Sequence, residues 1–84
     1  MDADKRSFDD FFAAWQQENV RPLKGPGMDP SDRRYLIQRR TQRLIEEARE
    51  RGLYSGLLDA ARGYKTVEQF IESLFDSAEL RARL

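Results

Sequence analysis

The feature that most constrains this chain is one spacing, repeated three times along it. Phe8, Phe11, Phe12 and Trp15 recur at i, i+3, i+4 and i+7, which puts all four rings on one side of a helix. Ile37, Thr41, Leu44 and Ala48 repeat that stripe, with Ile45 slightly aside. Val67, Phe70, Ile71, Leu74, Phe75 and Ala78 repeat it again. No segment alternates apolar and polar residues as a half-buried strand would. Three amphipathic helices must therefore bury their stripes against one another, and the expected fold is a small all-α bundle.

Punctuation sets the boundaries of one domain over 1–84. Ser7 is a candidate N-cap with Asp10 three residues on, so a first helix is expected over 7–19. All three prolines and two of the five glycines fall in VRPLKGPGMDP, which predicts a long loop over 20–29. Val20, Leu23 and Met28 give that loop apolar groups for packing. Asp29-Pro30 is an acidic cap followed by proline at the first helical position. The second helix should run over 30–51, with Gly52 as a left-handed terminator and Leu53 as the apolar residue beyond it. A short helix is expected over 54–62, ended by Gly63. A last principal helix is expected over 66–82, opened by the capping box TVEQ.

The ending KTVEQFIESLFDSAELRARL is similar to the closing helix of some bacterial repeats related to phycobilisome linkers. There a small residue precedes Glu, an apolar residue and Arg, as Ala78, Glu79, Leu80 and Arg81 do here. The likeness covers about a quarter of the chain. The same residues read equally well as a capping box followed by an amphipathic helix.

Composition excludes several classes of function. There is no histidine and no cysteine, hence no ordinary Ser-His or Cys-His nucleophile pair, no imidazole base and no usual zinc ligand. Glu46 with Glu50, and Glu68 with Glu72 and Asp76, repeat at helical spacing, but solvated helix faces explain them better than metal sites. No enzyme, cofactor or metal centre is expected. Lys+Arg and Asp+Glu are both 15, a balance that counts against a dedicated nucleic-acid binder. No apolar stretch approaches a membrane span. The cysteine-free composition and polar start MDADKRSF predict a soluble, cytoplasmic chain with no membrane partner.

Charge of one sign is concentrated in a single place. Arg33, Arg34, Arg39, Arg40 and Arg43 fall within eleven residues with no acid between them, and Glu46, Glu47 and Glu50 follow. A GC-rich genome could account for the arginine bias. On a wheel of about 100° per residue, Tyr35, Arg39 and Gln42 lie opposite the apolar stripe with Glu46. Leu36, Arg40 and Arg43 form the next stripe, while Arg33 and Arg34 fall nearer the core margin. Tyr35, Leu36, Arg39, Arg40 and Arg43 are thus expected to form one outward patch. Like charges at i,i+3 and i,i+4 cost a helix about 0.2–0.5 kcal/mol per pair. Arginines near a helix N-terminus also oppose its dipole, so something beyond local stability must favour them.

Three accounts stay open. In the first, acids of the first helix (Asp9, Asp10) or the last (Glu68, Glu72, Asp76) pair with the patch, and the loop covers Tyr35 and Leu36. Alternatively, the patch docks a protein partner with an acidic surface, using the residue types found at interface hot spots. In the third, the arginines contact phosphates of nucleic acid while Tyr35 stacks on a base. The expectation adopted is a non-catalytic interaction module, an adaptor, regulator or inhibitor, with nucleic-acid or phosphate contact as the alternative. Homo-oligomerisation is left open. The first helix's aromatic stripe has a second reading too, as a helix docking onto another subunit.

Overall fold

A computed structural model describes residues 2–23 and 29–82, with side chains from Arg6 onward. Four helices make up the fold: α1 (Asp2–Asn19), α2 (Pro30–Glu50), α3 (Tyr54–Ala60) and α4 (Val67–Ala82). No strand occurs among the described residues, and the fold is all-α. Helix α1 starts at Asp2 and continues through Ser7, so Ser7 lies inside the helix and does not cap it. The expected loop falls partly on 24–28, outside the described residues. Of its flank, Val20 and Leu23 pack against the core.

The caps of α2 follow from local chemistry. Asp29 is extended at φ −96°, and its side chain accepts the Asp32 N–H at 2.9 Å, with Pro30 beginning the helix. At the other end Gly52 adopts φ +71°. The Gly52 N–H donates to the Arg49 carbonyl at 3.1 Å, and the Leu53 N–H donates to the Ala48 carbonyl at 2.7 Å. This is the paired closure that a left-handed glycine permits. Leu53 then turns onto the core. Helix α4 starts as the capping box requires on its first arm, with the Gln69 N–H donating to Thr66 Oγ1 at 3.1 Å.

The three stripes meet in one core. Phe8, Phe12, Trp15, Ile37, Leu44, Ala48, Leu57, Ile71 and Phe75 are buried together. Phe11 is half-buried at its margin. The rings of α1 stack in series, Phe8 on Phe12 at 5.3 Å and Phe12 on Trp15 at 5.9 Å. Phe12 also meets Phe70 of α4 at 5.7 Å. Thr41 is the buried polar residue of α2, and its hydroxyl donates to the Ile37 carbonyl at 2.7 Å, so no donor is stranded.

Helix α2 packs on α4 and α3, while α1 lies across α3. That last crossing is close because Gly56 has no side chain. A Cβ at Gly56 would stand 2.8 Å from Phe8 Cγ and 3.0 Å from Phe8 Cβ, atoms too near the α1 backbone to swing aside. Gly56→Ala should gain about 1 kcal/mol of helix propensity and lose more to overpacking, typically about 1–3 kcal/mol. The expected net result is a lowered Tm in thermal denaturation. A raised Tm would mean that α1 and α3 are not in contact at Gly56.

Candidate interaction surface

The arginine run is divided among different tasks by the packing of α2. Arg33, in the first turns of α2, reaches across to the far end of α4. Its Nε donates to Glu79 Oε1 at 2.9 Å and its Nη2 to Asp76 Oδ1 at 2.5 Å. Arg33 and Glu79 are largely covered, with side chains 23% and 18% exposed, whereas Asp76 is 62% exposed. The Glu79 bond is therefore the stronger contributor, being less screened by water. That hydrogen bond, opposed by partial burial and helped by Asp76, raises the Arg33 pKa further above its ordinary value. A raised arginine pKa keeps its stabilising contribution complete below the unfolded-state value, so Arg33 holds α4 throughout the neutral range.

Arg40 also turns inward. Its Nη1 donates to the Asn19 carbonyl at 2.7 Å, and its guanidinium lies 5.7 Å from the Phe75 ring centroid. A cation at the C-terminal carbonyls of α1 satisfies an orphan acceptor and complements the helix dipole. Asn19 in turn donates from Nδ2 to the Trp15 carbonyl at 2.9 Å. The expected single outward patch is thus split: Arg40, placed by the wheel beside Arg43, fastens α1 to α2 and α4. The wheel gave its direction around α2 but not which element would lie there.

Tyr35, Leu36, Arg39 and Arg43 remain toward the outside. Tyr35 is 57% exposed, and the Arg39 guanidinium lies 5.9 Å from its ring centroid, close enough for a cation–π contact. Leu36 is half-buried, while Arg39 and Arg43 are exposed. Arg43 borders a cleft of about 300 Å³ between α1 and α2, lined also by Phe11, Trp15, Glu18, Glu47 and Arg51. Its two acids and two arginines are balanced in sign, and Arg51 lies 5.2 Å from the Phe11 ring centroid. Arg34 is exposed on the other flank of α2.

Internal pairing therefore accounts for Arg33 and Arg40 and leaves the rest. The described residues contain three ion pairs: Arg33 with Asp76, Arg33 with Glu79, and Arg62 with Asp59. Asp76 is among the acids expected to pair, and Glu79 joins it on the same guanidinium. The signal for Glu79 was the i,i+3 spacing from Asp76, which lets both acids reach one guanidinium. Among the described residues, no group of three or more acids is close enough to hold a metal ion. No described helix is long and apolar enough to cross a membrane.

No protein-family model, curated protein or solved structure matches this chain.

Proposed function

We propose that this small helical domain is a non-catalytic binding module, an adaptor, regulator or inhibitor, that presents the outer face of α2 to a protein with acidic groups. The observation that carries the reading is Tyr35, 57% exposed with Arg39 against its ring. A tyrosine buttressed by a guanidinium loses little side-chain freedom on docking, and both residue types are enriched at interface hot spots. Leu36 adds apolar area beside them, and Arg39 and Arg43 supply charge. Arg40 supports this face from beneath by fixing the end of α1. The lack of histidine and cysteine favours binding over catalysis, and a cytoplasmic setting fits the cysteine-free composition.

The test compares the immobilised chain with its R39E/R43E variant in an extract of the host. The variant should lose a protein retained by the original chain while its helical circular dichroism stays unchanged. Equal retention by both would overturn the reading. Nucleic-acid binding would instead show as a mobility shift whose affinity falls steeply with salt.

A further inference from the structure

We infer that the partner of this face is a second copy of the chain, docked antiparallel about a two-fold axis. The arginine half of one α2 then lies on the glutamate half of the other. This deepens the binding reading above and rests on it.

Tyr35, Arg39, Gln42, Arg43, Glu46 and Glu50 are all exposed. They occupy one sector of the helix, directly opposite the buried stripe of Ile37, Thr41, Leu44 and Ala48. Along that sector the sign changes once, from the arginines to the glutamates. None of Arg39, Arg43, Glu46 and Glu50 belongs to an ion pair among the described residues. At its extreme turns α2 obeys the dipole rule, with Asp32 at the start and Arg49 at the end. Its interior is reversed, with cations toward the positive end and acids toward the negative end, so side chains and backbone dipole oppose each other in the isolated helix.

A second α2 laid antiparallel relieves both oppositions at once. The two helix dipoles run in opposite directions, and each charged half meets its complement. A two-fold interface is built from one patch that must fit itself. An axis crossing α2 between Gln42 and Arg43 meets that demand. It sets Arg39 of each copy against Glu46 of the other, and Tyr35 against Glu50, whose carboxylate can accept from the tyrosine hydroxyl. An unrelated acidic protein would satisfy the arginine half and be repelled by Glu46 and Glu50. A second copy brings acids to the arginine half and arginines to the glutamate half. Arg39 and Glu46 stand two turns apart on one helix, too far to pair within a chain.

Sedimentation of the full chain at low ionic strength, over a range of concentrations, tests this directly. The expected result is a monomer–dimer equilibrium that weakens as salt is added. R39E and E46R should each weaken it at least about tenfold, because both symmetric contacts become like-charged. The double variant R39E/E46R should recover self-association. An equimolar mixture of the two single variants should form a mixed dimer, since one copy then brings two acids to the seam and the other two arginines. A monomer at every concentration, or a dimer indifferent to both charge reversals, would overturn the proposal. If the chain is monomeric but R39E/R43E still abolishes retention of a host protein, the second-copy proposal fails alone. If retention is also unaffected by R39E/R43E, the binding reading fails with it.

Discussion

Replacing Phe75 by alanine is expected to lower the unfolding free energy by about 3–5 kcal/mol, the range for truncating a fully buried phenylalanine. Phe75 is completely buried, so deletion of the ring removes its transfer free energy and leaves a void. A domain of this length has a total stability of about 4–13 kcal/mol at 0.05–0.15 kcal/mol per residue. The substitution therefore consumes a large part of the margin, and at the lower end it unfolds the chain. The ring has a second role, because the Arg40 guanidinium rests 5.7 Å from its centroid. Losing it loosens the cation that holds the end of α1. Urea denaturation followed by circular dichroism measures the loss. Leu80→Ala is the control, since Leu80 is 61% exposed on the same helix and should change stability by no more than about 0.5 kcal/mol. A Phe75→Ala loss no larger than that of the control would refute the position of Phe75 at the centre of the core.

Arg40→Ala carries the second largest effect, about 2 kcal/mol, and its signature is local. The half-buried guanidinium donates to the Asn19 carbonyl and lies over Phe75, and hydrogen bonds made by charged groups contribute roughly 1.5–3 kcal/mol. Without it, the last carbonyls of α1 lose a cation at the negative end of their dipole. Trp15 stands one helical turn before Asn19, is buried, and is the only tryptophan, so its fluorescence reports on the seating of α1. Arg40→Ala should shift that emission to the red in weaker denaturant than is needed to lose total helicity. Arg40→Lys keeps the charge without the planar group that spans ring and carbonyl, and should fall between the two. Coincident transitions for emission and helicity, at the original midpoint, would remove Arg40 from its role as the clamp of α1.

The contrast between Arg40 and Arg39 separates what was legible in the sequence from what was not. Both belong to the same run, and local rules place both away from the buried stripe. The wheel resolves angle around α2, yet it carries no information about which element covers a flank. Arg39 meets Tyr35 one turn away on the same helix, a contact fixed by i,i+4 spacing alone. Arg40 meets Asn19 and Phe75, which belong to α1 and α4. Ser7 shows the converse limit. Its capping-box spacing was present, but α1 runs through it from Asp2, and the pattern by itself could not tell a cap from an interior position.

By itself the sequence determined the all-α class, the stripes that form the core and the closure of α2 by Asp29, Pro30 and Gly52. These depend on residues within a turn or two of one another, so spacing and backbone preference suffice. The tertiary structure alone decided which arginines are used inside the fold and what they bind. Arg33 binds Glu79 across 46 positions of sequence, Arg40 closes the end of α1, and Arg39 and Arg43 are left facing outward. The reason is reach: a guanidinium bonds to whatever carboxylate, carbonyl or ring lies within a few ångströms, and which one does so follows from how the helices cross.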